Sequence, residues 1–219
     1  MNRLHRSYCR SNLWKQKLEG ELLPWSLSGV DLGEEVLEIG PGPGLTTDWL
    51  GHRYRAITCL EVDPDLALSL SKRTADTNIT VLRGDATAMP FRDQTFSGVA
   101  SFTMLHHVPS VSLQDRLFAE VHRVLKPGGV LAGTDSVWSL RMRIFHFGDS
   151  MVLVDPARLP TRLEAANFSD TRVQLGKGRF RFCARRPLVT MLPPEGPGQM
   201  VGPMSSSSSP RRPHCKLTS

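Results

Sequence analysis

The residues whose types and spacing ask for a chemical explanation are Gly40-Pro41-Gly42-Pro43-Gly44, Glu61, Asp85 and the pair His106-His107. The glycine-rich stretch follows a short apolar run, "EVLEI", and precedes a helix-like segment. A dinucleotide fingerprint spaces its glycines G-x-G-x-x-G and grips a pyrophosphate with backbone N–H groups. Here the spacing is G-x-G-x-G, position 45 is Leu, and Pro41 and Pro43 bring no N–H at all. Such a loop still lets a ligand approach closely, because glycine has no side chain. It is a poor pyrophosphate cradle, and it suits a nucleoside cofactor that carries no phosphate.

Two acids extend that reading. In "CLEVDPD", Glu61 ends the second apolar run, where a carboxylate can accept two hydrogen bonds from the vicinal hydroxyls of a ribose. A nicotinamide dinucleotide would use the same acid, so Glu61 alone does not discriminate. In "GDATAMPF", Asp85 can accept a bond from an exocyclic adenine amine, the backbone N–H of Ala86 can reach a ring nitrogen, and Met89 to Phe91 can wall the base. Acids at strand ends also cap the helix that follows. For Asp85 taken singly, capping and binding stand level. Three sites at the ends of successive strands argue together for one nucleoside pocket.

His106 and His107 lie in "TMLHHVP", just past the fourth apolar run. Either takes a proton near neutral pH. One of them is a candidate general base for an acceptor that arrives protonated; the alternative is one packed ring beside one solvated ring. His146 is a third histidine, inside "SVWSLRMRIFHFGDSMVLVD" (136–155). That stretch combines Trp, Met, Phe and Leu with Arg141 and Arg143. An apolar wall with two cations suits a lipid-like or aromatic acid, and plain core or lid packing explains it equally well. Arg179 and Arg181 alternate with Phe180 and Phe182, as on a strand with one basic face.

These residues need elements to position them. Residues 35–40, 56–62, 79–85, 96–105 and 129–137 read as five buried strands. Helical patterns fall between them, at "TTDWLGHR", 64–76 and 112–125. The last is clearest, with Leu113, Leu117, Val121 and Leu125 on one stripe and "KPGG" as its stop. Strands buried on both faces and alternating with helices make a parallel α/β sheet. "DPARLPTRLEAANF" then reads as a helix, and "DTRVQL" and "RFRFCARR" as strands joined by "GKG", a hairpin signal. The sheet therefore closes with an antiparallel pair. In such a sheet a ligand lies beyond the carboxyl ends of the strands, where the named residues fall.

The chain has 219 residues, enough for one domain with appendages. Its net charge of +6 is spread without a dense basic block, which speaks for ordinary solubility over nucleic-acid binding. Cys9, Cys59, Cys183 and Cys215 match no zinc or redox spacing and read as free thiols in a reducing, cytoplasmic setting. No apolar run reaches membrane-spanning length. Residues 1–33 read as an N-terminal helical segment with Trp14, Leu18 and Leu22 on one stripe. The acid-free start, "MNRLHRSYCRSNLWKQK", also fits a transit peptide. Residues 34–186 form the domain. Residues 187–219, rich in Pro, Gly and Ser, read as a disordered tail.

"VLEIGPGPG", "EVDPD", "GDATAMPF" and "HRVLKPGGVL", in that order, resemble the motifs of the class I S-adenosylmethionine-dependent methyltransferases, in the small-molecule branch called type 11. The likeness covers roughly residues 34–186. It implies a Rossmann-like, seven-stranded, mainly parallel sheet with an antiparallel C-terminal strand and helices on both faces. It also implies S-adenosyl-L-methionine as cofactor. Gly40, Gly42 and Gly44 would pass under its methionine part, Glu38 lie near its amino group and Glu61 on its ribose. Asp85 and Ala86 would meet adenine, and Phe102 and Thr103 would lie against the cofactor. The acceptor implied is a small molecule. "TMLHHVP" departs from the Asn-Pro-Pro-Tyr type of motif found in enzymes that methylate amino groups of bases. The Gly-rich motif also resembles that of ribosomal-RNA adenine dimethylases, which keeps RNA as an alternative acceptor. A non-catalytic cofactor-binding protein is the second alternative.

Overall fold

A computed structural model of the chain describes residues 11–139 and 151–188. Seven strands form one sheet: β1 (Glu35–Ile39), β2 (Ala56–Glu61), β3 (Ile79–Arg83), β4 (Phe96–Phe102), β5 (Leu125–Ser136), β6 (Ser169–Gly176) and β7 (Arg179–Arg185). Their order is β3-β2-β1-β4-β5-β7-β6. β7 runs antiparallel to both of its neighbours, and β1 to β5 pair in parallel. The order reverses at β1, between β2 and β4, which places the switch point at the Gly-rich loop. The architecture is the one expected from the sequence.

The helices follow from the apolar pattern and its caps. They are α1 (Asn12–Lys17), α2 (Leu23–Ser26), α3 (Leu45–Gly51), α4 (Pro64–Arg73), α5 (Val111–Val124) and α6 (Leu159–Ala165). Asp63 caps α4 by accepting from the N–H groups of Asp65 and Leu66, with Pro64 at the first helical position. Ser110 caps α5 through the N–H of Leu113. Strand residues alternate between two cores. Leu37, Ile39, Val99 and Leu131 pack with α5 and α6 on one face. Val36, Ile57, Ala100 and Ala132 pack with α3, α4 and the N-terminal helices on the other.

The structure differs from the sequence reading in four places. The N-terminal stripe does not lie on one α-helix: a π turn, Leu18–Leu22, joins α1 to α2, although Leu18 and Leu22 are buried as the stripe requires. Strand β4 ends at Phe102, and Leu105–His107 form a 3-10 turn. Strand β5 begins at Leu125, so "KPGG" is not a turn outside the sheet. Pairing slips from Phe96↔Leu125 to Gly98↔Val130, and the bulge absorbs the extra residues with Gly128 at φ 79°. Finally, Cys59 is a buried free thiol but Cys183 is disulfide-bonded, against the reading of four free thiols. Sequence spacing reports no distance in space. The basic segment before Ser11 and the tail after Leu188 lie outside the described residues. Among those described, no helix is long and apolar enough to cross a membrane.

Candidate active site

A cleft of about 580 Å³ opens at the carboxyl ends of β1 to β4. Gly40, Gly42, Glu61, Asp85, Ala86 and His107, all singled out in the sequence, line it. The first two glycines leave β1 with φ of 65° and 56°, and Gly44 follows at 87°, a region that side chains rarely tolerate. The Gly40 N–H donates to the Leu60 carbonyl at 2.9 Å, which lays the loop against the end of β2. A Cβ at Gly40 would strike Met104 Cγ, whereas one at Gly42 would meet nothing within 4 Å. Gly42 therefore presents bare backbone to open space in the cleft. Gly44 does not line the cleft; a Cβ there would meet Arg73 and Leu70 on α4.

Glu61 is only 5% exposed, and both of its oxygens hold backbone. Oε2 accepts from the Gly42 N–H at 2.9 Å and Oε1 from the Asp63 N–H at 3.0 Å. Each carboxylate oxygen has a second lone pair for a ligand. Asp85 is exposed, and its Oδ1 accepts from the Thr87 N–H at 2.8 Å. That is the local turn bond which competes with ligand binding in the sequence reading, and it occupies one oxygen of two.

Glu38 is placed differently. Its carboxylate is 1% exposed, outside the cleft lining, and points at the start of α3. It accepts from the hydroxyls of Thr46 and Thr47, the latter at 2.5 Å, and from the Cys59 thiol at 3.5 Å. Burial pushes its pKa up, while the three side-chain donors pull the other way. Burial also pushes the Cys59 thiol up, so it sits there as a neutral donor. Phe102 is buried in the core. Thr103 is half-buried at φ 52° and donates its N–H to the Thr134 carbonyl at 2.7 Å. Neither lines the cleft.

The two histidines part company. His107 lines the cleft, and His106 is 2% exposed behind it. His106 Nδ1 lies 2.5 Å from Oδ1 of Asp135, and the His106 N–H donates to Oδ2 at 3.1 Å. The two rings pack with centroids 4.2 Å apart. Sequence reasoning missed Asp135, although an acid near the end of a strand is the same signal that found Glu61 and Asp85. It also missed Val62, Leu66, Val108 and Leu113, apolar residues that line the cleft. Arg141, Arg143 and His146 lie outside the described residues. Among the described residues no group of three or more His, Cys, Asp or Glu could hold a metal ion.

Residues 37–133 match the model of the family described as a methyltransferase domain. Over 136 residues the chain is 29% identical to a demethylmenaquinone methyltransferase of Tropheryma whipplei, covering 59% of this chain and 54% of that one. Over 106 residues it is 32% identical to a fatty-acid O-methyltransferase of Mycolicibacterium smegmatis, covering 48% and 38% respectively. The chain thus spans about half the length, or less, of these curated relatives. A structure of an S-adenosylmethionine-dependent methyltransferase from Aquifex aeolicus superposes with a TM-score of 0.67, at 18% identity, over 85% of this chain and 99% of that one. At that identity the likeness speaks for the fold.

Proposed function

On the premise that residues 37–133 belong to the methyltransferase-domain family, within the class I type-11 branch, we propose that this protein transfers a methyl group from S-adenosyl-L-methionine to a small, largely apolar acceptor. The observation that carries the reading is Glu61, a nearly buried carboxylate at the end of β2 that lines the cleft and braces Gly42. A ribose edge takes such an acceptor, and a loop with prolines at 41 and 43 asks for no phosphate.

The residues present fit that cofactor. Bare backbone at Gly42 leaves room for the methionine part. Glu61 would take the ribose hydroxyls. The second oxygen of Asp85 and the N–H of Ala86 would take adenine, with Val62 and Leu66 as apolar walls. When bound, the sulfonium supplies an electrophilic methyl group. The chain contributes position, orientation and exclusion of water, which together account for much of the rate in a displacement of this kind. Glu38 fixes the first turn of α3 through Thr46 and Thr47, and so steadies the loop.

The apolar acceptor is supported by the wall of Met104, Val108 and Leu113 and by relatives whose names specify a menaquinone precursor and a fatty acid. The test is transfer of a labelled methyl group from S-adenosylmethionine to demethylated quinols, long-chain fatty acids and RNA in parallel. Label in the lipid-soluble products alone is the expected result. Label in RNA alone would replace this acceptor class.

A further inference from the structure

We propose that Asp135 is a positioning residue which, through His106, holds His107 as the proton acceptor for a hydroxyl-bearing acceptor. The inference rests on the methyl-transfer reading above and names the acceptor chemistry of that same cleft.

Asp135 lies on β5, is 0% exposed, and pairs across the sheet with Phe180 of β7. A carboxylate so deeply buried is costly unless its oxygens are satisfied. Both oxygens meet His106, Oδ1 at the ring and Oδ2 at the backbone N–H, and Oδ1 also accepts from the Ser136 N–H at 2.6 Å. A carboxylate at 2.5 Å from Nδ1 fixes the imidazole's orientation and favours the tautomer whose Nδ1–H donates to it.

What this fixes is the turn rather than a single ring. The carbonyl side is held as well, since Gln114 Nε2 donates to the Leu105 carbonyl at 3.1 Å and the Val152 N–H donates to the His106 carbonyl at 2.9 Å. Met104 and His107, which flank the held pair Leu105-His106, both line the cleft. The His107 ring packs on the His106 ring at 4.2 Å and 40°. The His107 ring, in the cleft lining, therefore packs on a ring that Asp135 holds.

An imidazole held in place serves an acceptor that arrives with its proton. The acceptor oxygen forms a bond to the methyl carbon. The carbon–sulfur bond breaks with its electron pair going to sulfur. The hydroxyl proton passes to the His107 ring and from there to solvent. An acceptor that is already ionised has no such need, and that difference is the readout.

The test compares wild type with Asp135→Asn on two probe phenols in mildly alkaline buffer: 4-nitrophenol, largely ionised, and 4-tert-butylphenol, protonated. Asp135→Asn should lower kcat for the protonated phenol about 100-fold, within the usual range for loss of a positioned base, and lower it far less for the ionised one. S-adenosylhomocysteine affinity, read by calorimetry, should stay as in wild type. An equal loss on both phenols would make Asp135 structural and overturn the proposal. In NMR spectra, the far-downfield imidazole proton of His106 should vanish in the variant and the ring signals of His107 should move. Unchanged His107 signals would also overturn it, even if neither phenol is a substrate. If S-adenosylhomocysteine does not bind wild type, the methyl-transfer reading fails separately, while the spectra still judge the Asp135–His106–His107 geometry. Should Asp135→Asn fail to fold, His106→Gln keeps a side-chain N–H for the carboxylate, removes the ring beside His107, and carries the same comparison.

Discussion

The Gly42 N–H donates to Oε2 of Glu61 at 2.9 Å, so the acid that ends β2 also ties down the glycine loop that leaves β1. One side chain braces the loop and faces the cleft. Glu61→Ala should therefore fail twice. It should weaken S-adenosylmethionine binding about 10- to 100-fold, the worth of hydrogen bonds to a charged group. It should also destabilise the fold by about 1–3 kcal/mol by leaving the Gly42 and Asp63 N–H groups unpaired. Calorimetry and urea unfolding read the two separately. Glu61→Gln keeps an acceptor and should lose less stability.

Gly40 and Gly42 share the left-handed backbone but not the surroundings. Alanine at either position carries about 1–2 kcal/mol of backbone strain. At Gly40 the new methyl also collides with Met104, so Gly40→Ala should be the less stable variant in urea. At Gly42 the methyl enters open space. Gly42→Ala should keep more of its stability and still lose cofactor affinity.

Asp85 separates capping from binding. Asp85→Asn retains an oxygen for the Thr87 N–H, whereas Asp85→Ala does not. Asn should stay near wild-type stability, and Ala should lose about 0.5–1.5 kcal/mol, the net worth of a hydrogen bond. Both should bind S-adenosylmethionine more weakly, because Asn replaces the second accepting oxygen by an NH2 donor and Ala removes both. Wild-type affinity in Asp85→Asn would leave Asp85 as a turn residue only.

Glu38 carries a pH dependence with an unusual sign. Its pKa in the fold is raised by burial, so the folded chain keeps a proton at pH values where the unfolded chain has lost it. The stability this group contributes is largest below the ordinary carboxylate pKa. It falls as pH rises through the raised folded value. Glu38→Gln removes the titration. The stability of wild type minus that of Glu38→Gln should therefore shrink from acid toward neutral pH, as read from urea midpoints. A difference that grew with pH would show that the Thr46, Thr47 and Cys59 donors outweigh burial.

The strands and the cleft were legible because their signals are local. Apolar runs, Pro64 at a helix start and acids at 61 and 85 depend on neighbours in sequence. The strand order implied by those runs places the Gly-rich loop at the switch point. What escaped was pairing at a distance. The resemblance implied Glu38 near the cofactor, and its text did not contain the hydrogen bonds from the Thr46 and Thr47 hydroxyls in the first turn of α3. His106 and His107 were equivalent as letters. Only the buried carboxylate of Asp135, on a different strand, tells the clamped ring from the one in the cleft. The bulge at the start of β5 likewise follows from pairing with β4, which the "KPGG" text does not contain.

The central claim is that the cleft holds a phosphate-free adenosyl cofactor. Thermal unfolding of wild type and Glu61→Ala, with S-adenosylmethionine, S-adenosylhomocysteine and NAD in parallel, tests it most directly. At about a hundred times its dissociation constant, a ligand of the folded state should stabilise it by about 2.7 kcal/mol. The account predicts a shift with the two adenosyl ligands, none with NAD, and a smaller shift in Glu61→Ala. A shift with NAD alone, or none with saturating S-adenosylmethionine on folded protein, would contradict it.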